Sequence, residues 1–263
     1  MILKKQHNLI IKKIFLICLL MSGIASMATE TKIIIRAKGR DAKFVGSSLG
    51  GAHIIIRNKI NQKILAEGNT QGSTGNTKLI MGTPKTRELS IADNSTAKFL
   101  AIIDIVEPTL ITIEMLSPNN NRQAQVKIST ELWLIPGKHI LGDGIVLEVP
   151  GFIIDILKPR THHYISLNEV KGKLFEIQAN IVMMCGCTIN KGGVWNSDDI
   201  EVKGILKRNG EFVSEVELEL IETNLFKGST ILDTSGNYEL TVFAYNAKSG
   251  NTGVDKVNYV IYE

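Results

Sequence analysis

The chain has 263 residues, 44% of them hydrophobic, with ordinary glycine and proline content, which excludes a disordered or collagen-like polymer. Its formal charge of +4 matches four cations in the first segment, Lys4, Lys5, Lys12 and Lys13, where no acidic residue stands. Residues 29–263 are therefore neutral, and nothing electrostatic favours nucleic acid or an anionic membrane as a partner.

The N-terminal lysines precede an apolar run, Ile14 to Met21, followed by small residues at Gly23, Ala25, Ser26 and Ala28. This is the pattern of a secretory signal peptide over residues 1–28, with cleavage after Ala28 or, as the alternative, after Ala25. The run is short for a membrane span, so no transmembrane anchor is expected after cleavage, and an uncleaved anchor is the minor alternative. The expected location is periplasmic or secreted. A lipoprotein reading of Cys18 is disfavoured, because apolar residues continue beyond it.

Roughly 235 residues remain, a comfortable length for two domains. Period-two alternation and short apolar runs predict strands at 32–37, 52–58, 62–67, 98–106, 110–115, 123–130, 145–149 and 152–157. A second series is predicted at 173–184, 200–207, 215–221, 238–245 and 254–262. Turn signals separate them, among them Gly142-Asp143-Gly144 and Asn209-Gly210, the latter a type I′ hairpin signal. The fold class is all-β: two tandem antiparallel β-sandwich domains after the signal peptide. The expected domains are 29–160 and 170–263, with the break around Lys158–Val170. Within the first half, Gly68–Arg87 reads as a long polar loop and a candidate binding surface.

Five further segments invite chemistry. Gly46-Ser47-Ser48-Leu49-Gly50 matches the G-x-S-x-G elbow of hydrolases, but a β run containing His53 follows where a helix is required, so a glycine-rich loop is the better reading. His162-His163 falls in the expected linker, where adjacent side chains on an extended chain face opposite ways, so one at most can complete a site with the sulfur segment below; a solvated linker pair is the better reading. Trp195-Asn196-Ser197-Asp198-Asp199 reads as an acidic turn, because its spacing matches no Ca²⁺ loop. Trp133 and Trp195 read as core or interface anchors, with an exposed carbohydrate-stacking role the minor alternative, and aromatics at 6% argue against a rich sugar-binding platform.

Met183-Met184-Cys185-Gly186-Cys187 holds both cysteines that remain after signal removal. On a continuing strand, Met183, Cys185 and Cys187 share a face and make a soft site suited to Cu(I). Alternatively Gly186 lets the chain bend so that Cys185 and Cys187 form a disulfide. The third reading is that these sulfurs fill the core.

The segment from Asp233 to Gly253, with Gly236-Asn237-Tyr238 and Gly250-Asn251-Thr252-Gly253, resembles the last two strands of bacterial immunoglobulin-like or fibronectin-type sandwiches. That resemblance implies a tyrosine-corner role for Tyr238. The Ala-Lys-Phe-x-Gly segment at 42–46 and the Met-Cys-Gly-Cys segment also resemble a group of exported proteobacterial proteins without an assigned reaction. Together these readings predict a non-enzymatic exported protein that binds a protein or surface macromolecule and needs no cofactor. Copper handling or thiol redox at the sulfur segment is the alternative.

Overall fold

The computed structural model describes residues 27–263, so the signal-peptide expectation, apart from its last two positions, lies outside the described residues. The described chain is almost entirely β. Its first sandwich is built from β1 (Thr29–Gly39), β2 (His53–Asn58), β3 (Ile64–Asn69), β4 (Phe99–Ile105), β5 (Thr109–Ser117), β6 (Val126–Leu134) and β7 (Ile140–Val149). One sheet has the order β4-β1-β7 and the other β3-β2-β5-β6. Ile33, Ile35 and Ala37 of β1 meet Ile54, Ile56, Ile111 and Ile113 in a common core.

The central strand β1 is closed from solvent on both faces: Ile34 and Arg36, which point away from that core, are also buried. A strand covered on both sides has no polar face to present, which is why Ile33-Ile34-Ile35 shows no alternation. The cover is the connection from β3 to β4. Arg36 Nη1 donates to the carbonyls of Thr96 (2.5 Å) and Ala97 (3.0 Å), and its guanidinium lies over Phe44. Opposite, the pairing of β1 with β7 jumps from Ile33–Ile140 to Ile35–Ile145. The predicted turn at 142–144 is therefore a bulge inside β7. Gly144 adopts φ 68°, and a Cβ there would stand 2.2 Å from the Ile34 carbonyl oxygen. The bulge presents Asp143, whose carboxylate accepts from Ser90 Oγ (2.5 Å), Ile91 N and Ala92 N (3.0 Å each). Residues 90–97 are thus fastened at both ends.

The second sandwich contains β8 (Phe152–Lys158), β9 (His163–Ser166), β10 (Leu174–Met183), β11 (Glu201–Arg208), β12 (Glu211–Glu217), β13 (Glu219–Glu222), β14 (Leu225–Ile231), β15 (Gly236–Asn246) and β16 (Asn251–Tyr262); the one-turn helix α1 (Leu167–Val170) follows β9. Its sheets are β13-β14-β10-β8 and β12-β11-β15-β16-β9. In immunoglobulin lettering these are the D-E-B-A sheet and a C′-C-F-G sheet closed by a short A′ strand. Tyr238 donates from its hydroxyl to the Thr234 carbonyl (2.8 Å), the bond of a tyrosine corner. Asn209 and Gly210 both have positive φ, as a type I′ turn between β11 and β12 requires. The sheets are antiparallel except for one parallel pair in each sandwich, β1–β7 and β9–β16.

Sheet pairing changes hands at Gly151. β8 pairs with β10, not with any strand of residues 29–149, and β9 occupies the stretch expected to be a linker. The two cores interlock there: Ala42 packs in the second core, while Ile153 and Met184 pack in the first. Trp195 Nε1 donates to the Asp41 carbonyl (2.7 Å). The fully buried Asn251 donates to the Arg40 carbonyl (2.9 Å) and accepts from Gly151 N (2.8 Å). Gln123 reaches Asp155 (2.6 Å) from the opposite side.

Candidate functional site

The sulfur segment lies at this joint. After β10 the chain turns tightly: Gly186 N donates to the Met183 carbonyl (2.7 Å), Met183 N to the Cys187 carbonyl (3.1 Å), and Gly186 takes φ 73°. That left-handed residue brings the two Cα atoms of its neighbours to 5.3 Å, and Cys185 and Cys187 form a disulfide. Met183, Cys185 and Cys187 are buried in the second core and Met184 in the first. The segment thus closes the seam between the cores. With the cysteine sulfurs bonded to each other, the set Met183, Cys185 and Cys187 retains no thiolate to offer Cu(I). Among the described residues no group of three or more His, Cys, Asp and Glu side chains is placed to hold a metal. The histidines stay apart from the sulfur: His163 pairs with Tyr259, eight residues along β16 from the joint residue Asn251, a distance of about 25 Å.

The serine of the G-x-S-x-G match stands in a short 3-10 turn, Ser47–Leu49, followed by strand β2. The Ser47 hydroxyl accepts from Gly72 N, whereas the His53 ring bonds Asn69 and faces Glu67. Ser48 and His53 are not joined by a hydrogen bond, and no helix follows to supply amide donors for an oxyanion. Asp198 and Asp199 belong to a turn capped by Asn196, and Asp199 pairs with Lys248.

The candidate loop Gly68–Arg87 is divided by the structure. Its first residues complete β3, and Lys78–Gly82 forms a single helical turn with Ile80 buried. Ile80, Met81 and Lys85 then line a cavity of about 540 Å³ at the joint, together with Lys38, Arg40, Asp41, Glu148 and Lys248. Two of its four cations are matched, Arg40 by Glu148 (2.6 Å) and Lys248 by Asp199 (2.6 Å). Burial, and then Lys85, push the Lys38 amine below its ordinary pKa, while burial pushes the Asp41 carboxyl up. The cleft thus mixes both signs of charge, four cations beside the carboxylates of Asp41 and Glu148.

An exposed apolar patch lies elsewhere, and Trp133 corrects the sequence reading: it is no core anchor but is 59% exposed. It stands on edge strand β6 opposite Leu110 of β5, on the face turned away from the core. Ile135 continues the same side, and Ile60, 83% exposed, sits in the adjoining β2–β3 turn, where Lys59 N donates to the Leu110 carbonyl. Lys59 and Glu131 form an ion pair at its border. Gln123, which touches the second sandwich, is ten residues back along this chain, so Trp133 stands about 30 Å from the joint. The alternation of residues 126–130 marks the wet face through Lys127 and Ser129, but a tryptophan at position 133 by itself reads as apolar and hence inward. The signal available was the single tryptophan among Lys127, Ser129 and Glu131 on the outward positions.

No family model and no curated protein matches the chain. Among solved structures, it is similar to an engineered protein over 46% of this chain and 22% of that one, with 13% identity and a TM-score of 0.32. It is also similar to fibronectin(III)-like modules of Clostridium thermocellum CbhA over 80% of this chain and 77% of that one, at 10% identity and a TM-score of 0.29. The chain thus spans less than a quarter of the first of these. At such scores the strand order and the tyrosine corner, not these likenesses, carry the account of the fold.

Proposed function

We propose that this protein is an exported, non-enzymatic binding module whose protein partner docks on the Trp133 surface. The observation that carries the reading is the cluster of Trp133, Ile135 and Ile60, exposed around one edge of the first sandwich beside the half-buried Leu110. Exposed apolar clusters with a polar rim mark interaction sites, and tryptophan is enriched among residues that dominate binding energy. The Lys59–Glu131 pair supplies such a rim. Export rests on the charged, apolar and small-residue succession of residues 1–28. In this reading the two sandwich domains meet at Gly151, and the second holds the first in place for its partner.

The test replaces Trp133 with a photo-crosslinking aromatic residue in cells that make the protein. Adducts of one defined mass are expected from position 133, suppressed by Ile60→Lys, and absent when the probe stands at the exposed Lys171. Equal adduct yields at both positions overturn the reading. Intact mass measurement of the accumulated protein tests export separately: a chain beginning at Thr29 is expected, and retention of residues 1–28 overturns cleavage there.

A further inference from the structure

We infer that the outer face of the five-stranded sheet, at the end of the second sandwich remote from the joint, carries a groove for a neutral oligosaccharide. The inference goes beyond the protein-docking reading and rests on different residues. The register across β11, β15, β16 and β9 sets them side by side. Lys207 is opposite Glu239 and Glu239 opposite Asn258; in the next row Asn237 is opposite Val260 and Val260 opposite Tyr164. All six line one open concavity of about 580 Å³, within the size range of small-molecule sites.

The chemistry of the groove is that of a sugar. Tyr164 is 67% exposed and offers an aromatic face to the apolar C–H side of a pyranose ring, with its hydroxyl free at the tip. Hydroxyl groups need both donors and acceptors. Asn237 and Asn258 supply amides, Lys207 an ammonium and Glu239 a carboxylate. Among the described residues, the side chains of Tyr164, Lys207, Asn237 and Asn258 have no hydrogen-bond partner, while Glu239 pairs with Lys256 (3.1 Å). Lys207 and Glu239 place one charge of each sign in the groove, with Lys256 paired to Glu239 at its border, so no cluster of like charge is present to select a phosphate or a basic peptide. The groove is also firmly based. Behind it Tyr238 and Tyr259 stack at 5.3 Å, and Tyr259 stacks on Phe175 at 5.5 Å, so the strands that carry the polar groups are held by an aromatic layer.

The test is a backbone-amide NMR titration of the purified chain with cellotriose and with its N-acetylglucosamine counterpart. At least one of these is expected to shift the amides of Tyr164, Asn237 and Asn258 saturably. Tyr164→Ala should weaken that binding about tenfold or more, whereas Tyr164→Phe, which keeps the ring, stays within about threefold. Because Tyr164 is exposed, the thermal midpoints of both variants should match the parent, which separates lost stacking from lost folding. If neither saccharide moves these amides, or if Tyr164→Ala binds as the parent does, the inference is wrong.

Discussion

Arg36 shows how much one side chain decides in this fold. Its guanidinium is buried beneath residues 90–97, donating to four backbone carbonyls: Thr96, Ala97, Gly142 and, through Nε, Asp143. A lysine carries the same charge but cannot span that fork, so two or more carbonyls lose their donor. Arg36→Lys is expected to destabilise the protein by about 2–4 kcal/mol, read as a lower denaturation midpoint with unchanged slope. Asp93 fixes the same segment by different means. Its carboxylate accepts from the hydroxyls and amides of Ser95 and Thr96, and the two hydroxyl bonds, the larger cause, bring its pKa down to about 2. A depressed folded-state pKa makes the contribution complete above the unfolded value of 3.8 and lost as pH falls toward 2. The thermal midpoint should therefore decline between about pH 4 and pH 2, and Asp93→Asn should flatten that decline. An unchanged slope in the variant would remove Asp93 from the account.

At the scale of elements, alternation made most strands legible, because each buries one face and wets the other. Legibility failed where that physics failed. The alternation does not mark β9 and β14, since His163-Tyr164-Ile165-Ser166 and Leu225–Ile231 bury only Ile165 and Phe226 respectively. The predicted strand 215–221 is two strands in different sheets. The chain changes sheets at Leu218, whose amide still bonds the Val202 carbonyl, and no residue type signals such a crossing. β6 continues to Leu134, beyond its predicted end, and that extension carries Trp133. The sulfur segment stands out in the sequence by its run of Met and Cys, but its place at the seam depends on packing between residues more than a hundred positions apart, such as Met184 in the core that holds Ile33 and Ile35. The Cys185–Cys187 bridge encloses one residue, and so small a ring restrains the unfolded chain little. Reduction should cost about 1.5 kcal/mol, or about 3–6 °C in thermal midpoint. A much larger loss would mean that the bridge sustains the seam itself.

Taken together, the described residues form two sheet pairs, and the stretch expected as a linker is occupied by β9 and α1. Asn251 and Trp195 tie the second sandwich to the turn at Arg40-Asp41, while each core receives side chains from the other half. The parent should therefore unfold in one calorimetric transition. Asn251→Ala leaves the Gly151 amide and the Arg40 carbonyl without partners at a cost of about 2–4 kcal/mol. Combined with Trp195→Phe, which removes the indole donor, it should split that transition into two; a single transition in the double variant would place the coupling elsewhere.

The interlocked joint also determines how far the molecule reaches. Two modules on a flexible tether sample many separations, and the local concentration of the second ligand decays with tether length. Here the Trp133 surface and the Tyr164 groove lie on opposite sides of a seam with no tether, so their spacing is a constant of the fold. With both proposed sites occupied, a partner and a glycan borne on one scaffold would engage together only when their own separation equals that span. The joint would then work as a ruler, rewarding scaffolds of one size, and loosening it would broaden the range of sizes accepted while weakening attachment to the best.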